Sequence, residues 1–342
     1  MIHNRAAWIP QVRGQLEVRD GPEPQVGEFD VLIENKAVAI NPVDWKIRDF
    51  NVLGKKYPII IGEDVSGNVV EVGSSVTKVK KGDRVLAYCI GLGTNKPINA
   101  GFQNYSVVPE ITLSPFPESM SYEQAAVVPL GVSTASAGLY QKDCLNLPYP
   151  KPGSREPTGT SILVWGSSGS VGANAVQLAA ASGVHVVATC SKKNADFVKG
   201  LGAKHVVDYN DESSVDQIVE ALQGTKFVGA YDSICLENTW KACGAVAEKM
   251  GGGLIIGTLQ PPENIELGEG VKAKGVFAIT IALQQPEVGN AIFRDYLPAA
   301  LKSGEYKAKP DPKVVGHGLE SIADGFAAQK KGVSAAKVVV TL

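Results

Sequence analysis

Ser161-Ile162-Leu163-Val164-Trp165-Gly166-Ser167-Ser168-Gly169-Ser170-Val171-Gly172, continued by Ala173-Asn174-Ala175-Val176-Gln177-Leu178-Ala179-Ala180, is the stretch on which the fold turns. A short apolar run leads into a glycine-rich turn and then into an amphipathic, alanine-rich segment. Read physically, a buried strand delivers the chain to a tight turn where glycines let the backbone approach a ligand. The helix that follows presents unpaired N–H groups and the positive end of its dipole. Such a place binds phosphate. The spacing is Gly-x-x-Gly-x-x-Gly rather than Gly-x-Gly-x-x-Gly, so the flanking strand and helix carry the reading; glycines used only for the sterics of a turn are the alternative.

Working outward, apolar strands are expected at 184–190, 205–207, 229–234 and 254–257, with helices at 195–200, 214–222 and 238–250 between them. That alternation means a parallel, doubly wound sheet. A further strand is expected over 275–282 and a long helix over 288–301. Upstream, the chain reads as short strands at 30–40, 59–62, 67–73, 83–88 and 104–108, punctuated by glycines, which makes a β-rich domain, a distorted barrel. Ser121 and Gln124 form a capping-box signal that opens a helix. The tail, with Val314-Val315, a helix over 319–329 and a strand over 336–341, has a different rhythm and is expected to pack back on the first domain. The resulting division is 1–125, 126–300 and 301–342.

A chain of 342 residues with 44% apolar and 20% charged residues suits two domains with a large buried core. Its net charge of −2 and pI near 6.1 give no long-range pull towards nucleic acid or an anionic membrane, so a small partner is expected. No apolar run is long enough to cross a bilayer and the N-terminus lacks the apolar core of a signal peptide, which points to the cytoplasm. Five cysteines without framework spacing suit reduced thiols.

The end of the second sheet strand selects the nucleotide. There the chain reads Thr189-Cys190-Ser191-Lys192-Lys193-Asn194. An NAD site would place an acid at that strand end for the ribose 2′-hydroxyl; a hydroxyl followed by two ammonium groups suits a 2′-phosphate instead, hence NADP. A solvated helix start is the alternative. No Cys-x-x-Cys occurs, and His3, His185, His205 and His317 are not paired at helical spacing, so no metal site is expected. His185 reads as a packed core residue. Without a metal or an evident catalytic histidine, hydride transfer to a conjugated carbon–carbon double bond or a quinone fits better than alcohol or ketone chemistry.

Asn41-Pro42-Val43-Asp44-Trp45-Lys46 reads as an N-cap, a proline in the first helical turn and an acid near the helix's positive end. Together with Gly62-Glu63-Asp64-Val65-Ser66-Gly67, Val70-Glu71-Val72-Gly73, Lys81-Gly82-Asp83-Arg84-Val85, the glycine turn and Leu201-Gly202-Ala203, it resembles the medium-chain dehydrogenase/reductase superfamily over essentially the full length. In zinc-dependent alcohol dehydrogenases of that superfamily a cysteine lies near the Asn41-Pro42 position and a histidine at the Glu63 position; neither stands here. The chain therefore resembles the zinc-free quinone oxidoreductase and enoyl reductase branch. Lys331-Gly332-Val333-Ser334-Ala335-Ala336-Lys337-Val338-Val339 narrows this to a similarity with fungal trans-acting enoyl reductases and toxD-like oxidoreductases.

The resemblance implies an α/β protein, a GroES-like β-barrel domain plus a Rossmann doubly wound parallel-sheet domain. It implies NADPH contacts from Val43, Asp44, Trp45 and Lys46, from Ser168, Gly169, Ser170 and Val171, from Ser191, Lys192, Lys193 and Asn194, and from Tyr209, Leu259, Gln260, Ala335 and Ala336. Gly131, Val132, Ser133 and Thr134, with Gly275, Val276, Phe277, Ala278 and Ile279, would border the substrate. Lys46 is the catalytic candidate, orienting the nicotinamide ribose or stabilising charge on the substrate carbonyl, with a solvated lysine as the alternative. Some enoyl reductases place a tyrosine acid shortly after the Asn-Pro pair. Here Phe50 and Asn51 stand there and Tyr57 further on, so water is the expected proton donor. The expected activity is zinc-independent enoyl reduction of a small or carrier-tethered substrate, with a polyketide synthase as partner and a monomer or homodimer as the assembly. A quinone reductase and a non-catalytic NADPH-binding scaffold or sensor are the alternatives.

Overall fold

The computed structural model describes residues 2–154 and 156–342. Two compact units are formed, one by the chain through Leu130 together with Ala308–Leu342, the other by Gly131–Lys307. In the first, β1 (Arg5–Ile9), β2 (Glu17–Asp20) and β4 (Ile59–Ile60) make a small antiparallel sheet around β1. The larger sheet runs through β3 (Asp30–Ala39), β5 (Asp64–Val72), β6 (Arg84–Tyr88) and β8 (Leu113–Pro115), with β7 (Tyr105–Pro109) on the free flank of β3.

Antiparallel strands that bury one face read as alternating patterns, and the buried residues Ile33, Val38, Val65, Val85, Phe102 and Val340 converge in one apolar cluster. The tail enters this sheet. Writing the six strands of the second unit as β9–β14, β15 (Asp311–His317) pairs in parallel with β16 (Ala336–Thr341), and β16 pairs antiparallel with β3 through Val339 and Ala39.

The second unit is a six-stranded sheet in the order β11 (His205–Asp208), β10 (His185–Cys190), β9 (Thr160–Trp165), β12 (Lys226–Asp232), β13 (Gly253–Gly257), β14 (Val271–Gly275). Every pairing is parallel. The chain winds outward from β9 to β11, then returns to β12 on the other side of β9. This is the doubly wound Rossmann order, whose reversal between β9 and β12 opens a crevice at the carboxyl ends of those strands.

Two expectations need correction. Residues 275–282 are not a strand: β14 ends at Gly275, Val276 and Phe277 are irregular, Ala278 and Ile279 form a turn, and Thr280–Leu283 is a short helix. The Thr280 hydroxyl donates to the Phe277 carbonyl at 2.6 Å and closes that turn. An apolar run at a sheet edge buries equally well in either conformation, so periodicity alone could not separate them. The long helix expected at 288–301 is continuous but not uniform: Pro286–Gly289 leads into a wider π-helical stretch, Asn290–Tyr296, before Leu297–Ser303.

Candidate active site

In the second unit the glycine turn follows β9. Gly166 has φ 78°, a left-handed conformation in which a Cβ would lie 2.5 Å from the Ile234 side chain. Gly172 packs its helix against the turn so closely that a Cβ would meet the Gly166 carbonyl oxygen at 2.5 Å. Gly169 is different: the nearest atom to a Cβ there is 3.5 Å away, leaving room for a ligand.

The helix Ser170–Ala181 begins at Gly169 without a side-chain cap. Its first N–H groups are therefore available to an anion. The buried Ser170 hydroxyl also lacks a partner among the described residues. Open glycine, uncapped helix and orphaned hydroxyl together fit a bound pyrophosphate.

The other expected cofactor residues of this unit lie along the same sheet edge. Ser191, Lys192, Lys193 and Asn194 follow β10, where the two lysines are exposed and Asn194 donates to the Ser191 hydroxyl at 3.2 Å. Tyr209, half-exposed, follows β11. Leu259 and Gln260 follow β13, and the Gln260 side chain exchanges hydrogen bonds with the Gly275 backbone at 3.2 and 3.4 Å, tying a cofactor candidate to a substrate candidate.

Val276 and Ala278 are buried, Ile279 is half-buried and Phe277 is 57% exposed. Gly131, Val132, Ser133 and Thr134 lie in the buried helix Pro129–Tyr140. A Cβ at Gly131 would come within 2.6 Å of the Ser170 hydroxyl.

The edge includes a segment that the sequence reading passed over. After β12, Asp232 accepts the Ile234 and Cys235 N–H groups and the Thr239 hydroxyl, while the Ser233 hydroxyl donates to the carbonyls of Trp165 and Gly166. Burial raises the Asp232 carboxyl above its ordinary range. The visible signal was an aspartate and a serine directly after an apolar strand.

The first unit has a polar centre closed from solvent. The Lys337 ammonium, 5% exposed, lies 2.9 Å from the fully buried Asp64 carboxylate. The Asn41 amide donates to the same Asp64 oxygen at 2.7 Å and its carbonyl accepts from Lys337 at 2.5 Å. The other Asp64 oxygen accepts the Leu130 N–H, at the start of helix Pro129–Tyr140. The Asn41 side chain thus turns inward rather than capping its helix. The reciprocal half of the cap remains, since Asp44 accepts the Asn41 N–H at 2.7 Å.

Asp44 and Glu63 complete this centre, and one ammonium cannot balance three carboxylates. Burial above all, and then the Asp64 charge, push Asp44 up to about 8, with its second oxygen unpartnered among the described residues. Burial and the charges of Asp44 and Asp64 raise Glu63 well above the usual range. Burial, followed by the charges of Glu63 and Asp64, likewise raises the Tyr88 hydroxyl. Burial and the crowding of like charges thus favour the protonated forms of Asp44 and Glu63 beside the Lys337–Asp64 pair.

Around it stand the remaining candidates of this unit. Val43 is half-buried. Trp45 donates to Gln329 at 2.7 Å, Lys46 is half-buried with its ammonium 5.8 Å from the Trp45 ring centre, and Ala335 and Ala336 lead into β16. His185, expected in the core, is half-buried and stacked on His205 with ring centres 5.3 Å apart.

Comparison with known proteins matches residues 27–118 to the alcohol dehydrogenase GroES-like domain and residues 170–296 to the zinc-binding dehydrogenase family. A trans-enoyl reductase of Aspergillus japonicus is 42% identical over 340 residues, covering 99% of this chain and 97% of that protein. The chain belongs to the medium-chain dehydrogenase/reductase superfamily. A dehydrogenase of Monascus ruber is 39% identical, with both chains covered in full.

Among solved structures, an alcohol dehydrogenase superfamily protein from Novosphingobium aromaticivorans has a TM-score of 0.81 at 24% identity, with 99% of each chain covered. The CurK enoyl reductase has 0.74 at 21%, again with 99% of each covered. These likenesses establish the superfamily fold, a GroES-like domain and a Rossmann domain. Membership implies an oxidoreductase with a nicotinamide cofactor. No helix among the described residues is long and apolar enough to cross a membrane.

Replacing Lys337 by Met should leave Asp64 charged and buried, a loss of roughly 3–5 kcal/mol measured by denaturant unfolding, partly recovered by adding Asp64→Asn. The pH dependence follows from Asp44. Its pKa when folded lies above the ordinary value, so its stabilising contribution is complete below about pH 4 and is lost as pH rises towards about 8. The difference in thermal midpoint between the native chain and Asp44→Asn should therefore shift against the native chain across that window, as read by melting curves at fixed ionic strength.

Proposed function

We propose that the chain catalyses NADPH-dependent reduction of the carbon–carbon double bond of an α,β-unsaturated carbonyl or thioester, without zinc. The reading rests on the full-length likeness to a trans-enoyl reductase and on a polar centre whose Asp64 oxygens are already committed to Lys337, Asn41 and the Leu130 N–H. With an ammonium at its middle and the Asp64 oxygens already taken, that centre does not suit a zinc ion, which needs three or four free thiolate, imidazole or carboxylate ligands. Among the described residues no group of three such side chains has the geometry to hold a metal.

NADPH, when bound, supplies a hydride for the β-carbon. The glycine turn and the uncapped start of helix Ser170–Ala181 hold the pyrophosphate, and Ser191, Lys192 and Lys193 hold the 2′-phosphate at a strand end without a carboxylate. Lys46 stabilises the negative charge that develops on the substrate carbonyl oxygen, and water protonates the α-carbon. A carrier-tethered enoyl substrate and a polyketide synthase partner belong to the same reading, as does a location in the cytoplasm.

Replacing Lys192 and Lys193 by Ala should each lower kcat/KM for NADPH by about 10–100-fold while that for NADH changes little, since a lost charge-assisted contact to phosphate is worth about 1.5–3 kcal/mol. An unchanged NADPH-to-NADH ratio contradicts the cofactor assignment. Rates of NADPH oxidation with crotonyl thioesters, alkenals and quinones rank the substrate classes. Enoyl thioesters or alkenals are expected first, quinones leading would favour quinone reduction, and tight NADPH binding without turnover would favour a scaffold.

A further inference from the structure

A concavity of about 440 Å³ in the first unit lies between the loop after β1 and the last turn of helix Pro42–Phe50, with Arg13, Gln15, Arg48 and Asp49 on its wall. Its charge is lopsided. The Asp49 carboxylate accepts the Arg48 Nε and the Lys330 ammonium, each at 2.7 Å, and the Asp49 backbone carbonyl accepts the Arg13 Nε at 3.3 Å. Although burial pushes Asp49 upward, the hydrogen bonds from Arg48 and Lys330 hold it below the usual carboxylate range. Two guanidinium groups and one carboxylate thus line the concavity, and the Lys330 ammonium pairs with that same carboxylate from beside it. Among the described residues neither guanidinium spends its terminal Nη groups on a protein partner.

The backbone adds an independent observation. The turn is closed by the Gly14 N–H donating to the Gln11 carbonyl at 2.9 Å and is fixed to the helix by the Arg13 N–H donating to the Arg48 carbonyl at 2.7 Å. Arg13 stands at φ 59°, where glycine or asparagine is the ordinary choice in a turn. A left-handed backbone is costly at a non-glycine residue, and here it holds the Arg13 side chain on the wall of the concavity. The Arg48 guanidinium is held in place from below by the Phe326 ring, 5.2 Å from its centre.

We propose that this concavity is a phosphate-ester site, with the Nη groups of Arg13 and Arg48 as its donors, and that it takes the phosphate of the arm carrying an enoyl thioester. The inference rests on the proposed thioester chemistry. Planar guanidinium forks match phosphate oxygens in pairs, and an open wall admits an ester whose arm continues away from the phosphate. Arg48 follows Asp44 by one turn on the same helix, about 6 Å along its axis, so the phosphate would be read by the helix that begins at the polar centre.

The test compares kcat/KM for crotonyl-4′-phosphopantetheine and crotonyl-pantetheine, which differ only in the phosphate. Arg13→Asn removes the charge and tolerates the left-handed backbone; Arg13→Lys keeps the charge and loses the fork. The native chain should prefer the phosphorylated substrate by about tenfold, Arg13→Asn should abolish the preference and Arg13→Lys should retain part of it. An equal preference in the native chain and Arg13→Asn overturns the proposal.

Calorimetric titration of NADPH-saturated protein with 4′-phosphopantetheine supplies a readout independent of turnover. Binding should weaken about tenfold or more in Arg13→Asn, and unchanged binding overturns the site. Inorganic phosphate binding as tightly as the ester overturns the assignment to the arm. If neither thioester is reduced, the enoyl thioester reading fails and the titration still decides the site.

Discussion

The pair between Lys337 and Asp64 is the constraint on which the first unit depends. Withdrawing an ammonium and a carboxylate from water costs several kcal/mol for each ion, and the pair survives only if its remaining donors and acceptors are met. Here they are met by the Asn41 amide and the Leu130 N–H. Segments at residues 41, 64, 130 and 337 are thereby forced to one point. A one-residue slip of β16 would carry Lys337 to the opposite face of the sheet, where Val338 and Val340 enter the apolar cluster. The pair therefore fixes the register of the final strand as well as the start of two helices. It also bears on protonation, because burial and then the Asp64 charge raise the Asp44 and Glu63 carboxyls above their ordinary range beside a single ammonium.

In the second unit the governing constraint is a close approach of backbones. Gly166, Gly172 and Gly131 stand where a Cβ would overlap a neighbour, whereas Gly169 faces open space. Close packing brings the helix start to the strand end; the one open glycine leaves the helix's N–H groups to a ligand. The segment after β12 closes the arrangement, since the Ser233 hydroxyl holds the carbonyls of the glycine turn and Asp232 shapes the bend that carries Ile234 against it. The anion site is thus built from sheet order and sterics, with charge entering afterwards at Lys192 and Lys193.

What the sequence disclosed follows from the range of the interactions involved. The glycine turn, the Ser121–Gln124 capping box and the alternation of strands and helices after Ser161 are local, and the structure reproduces them within a residue or two at most ends. Residues 276–279 misled because an apolar run at an edge strand can bury itself as turn and helix as readily as strand. The polar centre was hidden for the opposite reason. Lys337 sits in an apolar strand 273 positions after its partner Asp64, and a lone lysine in such a run reads as a solvent-facing break in the pattern. Asn41 has the type and position of a helix cap; only the fold shows its amide claimed by Asp64 and Lys337.

Hydride delivery to carbon at a site without a metal ion is tested most directly by turnover of crotonyl-pantetheine with NADPH deuterated at nicotinamide C4, using chelator-washed protein and locating the label in the product by NMR. The expected product is a saturated thioester with deuterium on the β-carbon, formed at undiminished rate by protein that contains no stoichiometric zinc. Loss of turnover on chelation with recovery on adding zinc, or deuterium on the carbonyl carbon of a reduced product, would contradict it.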